Sequence, residues 1–154
     1  SLRAALFGEN SNQKFAPHKL NINGVAQGKL VGGNLSIIYS LQGTPYSLLP
    51  DNAILFIEDL DEYLYHIDRM MMNLELSGAL RKIKGVLVGG MSDMRDNAIP
   101  FGKNALEIIR EHAEKFNIPV AFNFPAGHQK PNTALRLGAE IKLEVREEFS
   151  TLTY

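Results

Sequence analysis

The chain has 154 residues, 45% hydrophobic and 21% charged, with 16 basic against 17 acidic side chains and a net charge of −1. That is about one domain of ordinary globular composition, which excludes a disordered, collagen-like or mucin-like polymer and leaves enough apolar surface for a core without staples. The balanced charge offers no footprint for a nucleic-acid backbone or an anionic membrane surface, and the 0 cysteines exclude thiolate nucleophiles, cysteine zinc sites and disulfides.

Residues 1–20 are polar and mixed, ending in Pro17-His18-Lys19, and read as a linker remnant or an irregular lead-in rather than a core element. The stretch Ser1–Gly8 lacks the apolar core of about 7–15 residues expected of a secretory signal. From Asn23 to Val31, Gly24 and Gly28 suggest a strand or hairpin interrupted by backbone that turns or passes close to a neighbour, punctuated by Gly32-Gly33-Asn34. Asn34 predicts an N-cap for a short helix over Leu35–Leu41, with Leu35, Ile38 and Tyr39 on one face and Gly43 as its stop. The apolar run Ala53–Ile57 predicts a strand covered on both faces and ending at Glu58-Asp59. Leu64, Ile67, Met71 and Leu74 then share one face of a helix over Asp61–Leu76, closed by Gly78. Gly85–Gly90 is a second buried strand running into a glycine turn, and Ala105–Phe116 a helix with Leu106, Ile109, Ala113 and Phe116 inward. Ile118–Phe124 is a third apolar strand leading into the loop Pro125–Asn132. Ala139, Ile141, Leu143 and Val145 alternate with Glu140, Lys142, Glu144 and Arg146 as a half-exposed strand, and Phe149–Tyr154 adds one more. The class is α/β with mixed strands. All apolar runs fall short of the roughly 18 residues a membrane-spanning helix needs, so neither a membrane nor a nucleic-acid partner is expected.

In α/β architectures, reactive groups gather at the carboxyl ends of strands, which marks Glu58-Asp59 and Gly127-His128. A carboxylate beside an imidazole can fix its tautomer and stabilise the imidazolium formed on proton uptake. The competing readings are helix capping by Glu58-Asp59 and an ordinary loop histidine at His128. His18, His66 and His112 read as solvated surface histidines. No zinc-ligand spacing appears, and Gly28–Gly33 matches neither a P-loop nor a dinucleotide fingerprint, so no metal or cofactor is expected. A triad would also need a serine on a sharp turn. The nearest approach, Gly90-Met91-Ser92-Asp93, lacks the second glycine, so Ser92 reads as a decoy and the nucleophile as absent or carried on another segment.

Taken together, Gly28–Leu35, Leu41-Gln42-Gly43-Thr44-Pro45, Ile54–Asp59 with Tyr65 and Ile67-Asp68-Arg69, and Pro125-Ala126-Gly127-His128 resemble the C-terminal domain of the LD-carboxypeptidases. This is the serine peptidase family of muramoyltetrapeptide carboxypeptidases and microcin C immunity proteins, and the likeness runs in order from about Gly24 to Val145. It implies a mixed-sheet, three-layer domain of the swivelling β/β/α type over residues 21–154, preceded in the whole protein by a serine-bearing N-terminal domain. It further implies a Ser-Glu-His triad whose glutamate and histidine fall on Glu58 and His128, with Gly33 and Asn34 bordering the substrate cleft. The implied reaction removes the terminal D-alanine of a murein tetrapeptide during peptidoglycan recycling, without a cofactor, in a cytoplasmic homodimer. A microcin-type aminoacyl-nucleotide amidase, or a non-catalytic binding module of the same fold, are the alternatives. On either enzymatic reading the isolated chain is expected to be inactive.

Overall fold

Seven strands in the order β1-β7-β6-β2-β3-β4-β5 organise the chain, for which a computed structural model describes residues 2–8, 12–47 and 49–154. The strands are β1 (Asn12–Phe15), β2 (Gly24–Asn34), β3 (Ile54–Leu60), β4 (Gly85–Ser92), β5 (Val120–Ala121), β6 (Glu140–Val145) and β7 (Ser150–Thr153). Between and before them lie α1 (Leu2–Leu6), α2 (Leu35–Leu41), α3 (Leu64–Leu76), α4 (Ala79–Lys82) and α5 (Ala105–Ala113). Strands β2 to β5 run parallel, joined through helices, whereas β6, β7 and β1 pair antiparallel beyond β2.

Strand alternation divides the interior in two. Leu55, Ile57, Val86 and Val88 face a helical layer built on Leu35, Ile67, Met71, Leu74 and Ile109. Ile54, Phe56 and Leu87 point the other way, where Ile141, Leu143, Leu152 and Phe15 of the antiparallel wing fold over them. The result is a layer of strands, a parallel sheet and a layer of helices, the mixed α/β class read from the sequence pattern in the β/β/α arrangement that the family resemblance implies. Among the described residues no helix is long and apolar enough to cross a membrane.

The structure corrects several readings. Residues 1–20 are not irregular throughout: they hold α1 and the edge strand β1, whose Phe15 is buried and meets Phe124 edge-on at 5.1 Å. Short polar strands of this kind take their order from pairing with β7 rather than from periodicity, which is why the sequence conceals them. The segment over Asn23–Val31 is a strand and not a hairpin: β2 is one 11-residue strand whose first half pairs with β6 and whose second half pairs with β3, and the close approach expected of its glycines is real at Gly28, where a Cβ would stand 2.2 Å from the Asn52 carbonyl oxygen. Gly32 marks a close approach, since a Cβ there would stand 1.9 Å from the Phe56 carbonyl oxygen. Both β3 and β4 run past their apolar cores, to Leu60 and Ser92. The ladder between Val120–Ala121 and β4 is only two residues long, because Asn123, at φ 63°, turns the chain out of it.

Helix α3 starts at Leu64 rather than Asp61, whose φ of 62° keeps it out of the helix. Helix α5 ends at Ala113, and Phe116 lies in the 3-10 turn Glu114–Phe116 that follows; the buried face of α5 is Ala105, Ile108, Ile109, His112 and Ala113, while Leu106 and Phe116 are half-buried. His112 is therefore not a surface histidine: it is 3% exposed, with Nδ1 2.7 Å from Glu75 Oε2 and Nε2 3.2 Å from Asp68 Oδ1, both carboxylates on α3. His66 is half-buried too, 2.6 Å from Glu62. At the start of α5, Asn104 accepts from the Glu107 N–H while the Glu107 carboxylate accepts from the Asn104 N–H, a complete capping box. Asn104→Ala is expected to lower stability by about 1 kcal/mol, or about 2–4 °C in a thermal melt. An unchanged melt would show that the box adds nothing to the packing of α5.

Candidate active site

The end of β3 carries two consecutive acids that the pleat sends to opposite faces. Asp59, 2% exposed, points to the helical side, where Oδ1 accepts from Asn34 Nδ2 at 2.8 Å and Oδ2 from the Ser36 N–H at 2.9 Å. It thereby anchors the first turn of α2, the helix before β3, rather than capping the helix that follows. Asn34 completes that arrangement by accepting from the Ile37 N–H and the Ser36 hydroxyl. Asn34 is thus the N-cap the sequence predicts, with both ends of its amide engaged inside the chain. Gly33 lies one residue before it, opposite Ile57, with open space where a side chain would stand.

Glu58, 6% exposed, faces the other way and meets the loop after β5. Its Oε2 lies 2.7 Å from His128 Nδ1 and also accepts from the His128 backbone N–H at 3.1 Å. A carboxylate only accepts, so the geometry places the ring proton on Nδ1 and leaves Nε2 as the basic nitrogen. The ring is half exposed, its side chain at 53%, and Nε2 makes no hydrogen bond among the described residues. Gly127 makes the approach possible: at φ 102°, it passes so close that a Cβ would lie 2.8 Å from both Cβ and Oε2 of Glu58.

The hydrogen bond to Glu58, and after it the Glu58 charge, hold His128 above the ordinary histidine pKa, against a small opposing effect of burial and with minor help from Asp59. Its titration, followed by NMR, is expected to have a midpoint above about 6.5, returning toward that value in Glu58→Gln. The sign follows from linkage. A group whose pKa is raised by folding stabilises the fold below the unfolded pKa, near 6.5, and loses that contribution as the pH climbs through the folded value. A midpoint insensitive to Glu58→Gln would mean that the pair does not form in solution.

Sequence reasoning missed the environment of the pair. Between Ile57/Val88 and Asp59/Met91 the β3–β4 register shifts by one residue, a bulge at Gly89-Gly90 that brings β4 against the histidine loop, where the Gly90 N–H donates to the Ala126 carbonyl at 2.9 Å. Ser92, at the end of β4, donates its hydroxyl to the His128 carbonyl at 2.8 Å. The paired glycines were the only sequence signal for this approach. Among the described residues no cluster of three or more histidine or acidic side chains could hold a metal ion.

A mixed sheet with helices on one side, matched from Gln27 to Leu143 by the LD-carboxypeptidase C-terminal domain, defines the class of this protein as a carboxypeptidase domain. The chain belongs to that family. It is 32% identical over 144 residues to a probable murein peptide carboxypeptidase of Bacillus subtilis, covering 91% of this chain and 44% of that protein. It is 26% identical over 154 residues to the microcin C7 self-immunity protein MccF of Escherichia coli, covering 94% of this chain and 44% of that protein. The crystal structure of a muramoyltetrapeptide carboxypeptidase from Oxalobacter formigenes superposes with a TM-score of 0.87 at 26% identity, over 99% of this chain and 52% of that one. The chain thus spans less than half the length of these two curated relatives.

Proposed function

We propose that this chain is the glutamate–histidine half of a serine LD-carboxypeptidase that releases the terminal D-alanine of a murein tetrapeptide, the nucleophilic serine coming from an N-terminal domain of the whole protein. The observation that carries this reading is the 2.7 Å contact between Glu58 and His128 Nδ1, which leaves Nε2 facing outward as a base. Nε2 takes the serine proton as the serine oxygen attacks the amide carbonyl. The tetrahedral intermediate collapses as Nε2 returns that proton to the amine of D-alanine, and water then repeats the sequence on the acyl-enzyme. Glu58 keeps the ring in the tautomer this requires and balances the imidazolium charge. Gly33 borders the cleft, and Asn34 shapes its edge through the first turn of α2. Ser92, whose hydroxyl donates to a backbone carbonyl rather than to the ring, is not the nucleophile on this reading.

The test is mass-spectrometric detection of D-alanine released from murein tetrapeptide by this chain and by the full-length product of the same gene. Release by the long form alone supports the split triad. Release by the short chain would place the nucleophile within these 154 residues and overturn it. The likeness to MccF favours a second reading, hydrolysis of an aminoacyl-nucleotide amide by the same residues; faster turnover of such an amide than of the tetrapeptide would select it. Turnover of the full-length protein unaffected by loss of His128 would leave this domain as a binding module that contributes no catalytic group. We place the reaction in the cytoplasm, on recycled murein fragments, in a homodimer; sedimentation as a monomer at micromolar concentration would remove the last element.

A further inference from the structure

His128 sits on a loop, and loops are the mobile parts of a fold, yet a base must be held to within a fraction of an ångström of its partner. The residues flanking His128 show how this loop is held. From one side, the Ser92 hydroxyl donates to the His128 carbonyl at 2.8 Å. From the other, the Gln129 side-chain amide donates to two carbonyls of the same loop, Phe124 at 2.8 Å and Ala126 at 3.1 Å, while its own N–H donates to the Gly127 carbonyl at 2.9 Å. The Gln129 stem lies over Gly90, where any side chain would come within 3.1 Å of it. The segment 124–129 is thus closed on itself by one side chain and tied to β4 at its start by two backbone bonds, Phe124 N–H to the Val88 carbonyl and Gly90 N–H to the Ala126 carbonyl, and at His128 by the Ser92 hydroxyl. None of these bonds reaches the ring or a reacting atom.

We propose that Ser92 and Gln129 are positioning residues for His128, fixing the peptide that carries the imidazole so that Nδ1 stays on Glu58. This deepens the catalytic reading and rests on it for its functional meaning, but its test needs neither substrate nor serine. The charged group facing the ring is Glu58; Asp59, on the opposite face of β3, acts on it only weakly through its charge, and neither is altered by the substitutions. Gln129→Met keeps the length of the side chain over Gly90 and removes both amide donors; Ser92→Ala removes a single oxygen.

The experiment is an NMR titration of the His128 imidazole in this chain, with Glu58→Gln defining the full loss of the pairing and the backbone amide spectrum outside residues 124–132 confirming the fold. In Gln129→Met the midpoint is expected to fall by about half or more of the drop seen in Glu58→Gln, with faster solvent exchange of the Nδ1 proton. Ser92→Ala is expected to give a smaller fall in the same direction. A midpoint unchanged from the parent in either folded variant overturns the assignment of that residue. Ser92→Ala, the milder change, keeps the idea exposed to refutation should Gln129→Met fail to fold. D-alanine release by the full-length protein is a separate measurement, so failure of the catalytic reading would not be mistaken for failure of this one.

Discussion

In the full-length protein, His128→Ala is expected to lower kcat for D-alanine release by about 10⁶-fold, and Glu58→Gln by about 10⁴-fold, with KM nearly unchanged in both. The unequal losses reflect unequal roles. In the proposed mechanism His128 moves the proton, whereas Glu58 fixes the ring through a single oxygen, 2.7 Å from Nδ1 and 3.1 Å from the backbone N–H. Glutamine can still accept, but it can also donate, and it carries no charge to balance the imidazolium. A ring that is to take the serine proton, as proposed, must be neutral. The rate should therefore rise with pH through the His128 midpoint, which Glu58 holds above about 6.5, and Glu58→Gln should move that rise to lower pH. Turnover within tenfold of the parent in His128→Ala would sink the triad.

Gly32→Ala is expected to cost about 3 kcal/mol or more, a fall of roughly 6–12 °C in melting temperature, through overpacking and backbone strain. The added methyl would lie 1.9 Å from the Phe56 carbonyl oxygen and 2.9 Å from its carbon, and backbone in the middle of a parallel pair has no free end to swing aside. At φ 125° an L-residue is strained even before that overlap. Gly33→Ala is the control: φ is 148°, but nothing lies within 4 Å of the added atom, so only the strain remains, about 1–2 kcal/mol. Equal losses at the two positions would show that the approach of β2 to β3 is not what the first glycine serves.

What the sequence revealed and what it concealed divide along physical lines. The buried parallel strands and the stripe of Ile67, Met71 and Leu74 were readable because burial on both faces, or on one helical face, leaves a continuous or periodic apolar pattern. The partnership of Glu58 and His128 followed from strand ends together with a family resemblance; a separation of 70 positions along the chain carries no signal of contact. His112 was misread because its two carboxylate partners sit on a different helix, although its spacing from Ile108 and Ile109 placed it on the inward face. The clamp formed by Gln129 was invisible for a related reason. Its bonds are local to an irregular loop and leave no periodic pattern, and the packing of its stem over Gly90 exists only once the loop meets β4.

The two acids at the end of β3 differ in task only because they differ in parity. One residue along the strand, a carboxylate passes from holding an imidazole to anchoring a helix, and no other feature of the local sequence separates the two duties. A deletion or insertion of a single residue within Ile54–Ile57 would exchange them, turning Asp59's position toward the histidine loop and Glu58's toward α2 while leaving the strand as apolar as before. Length changes in this strand should therefore survive in natural variants only in even steps or outside the paired segment. Hydrophobicity alone would permit alignments of β3 of either parity; the division of labour between neighbouring carboxylates permits only one parity.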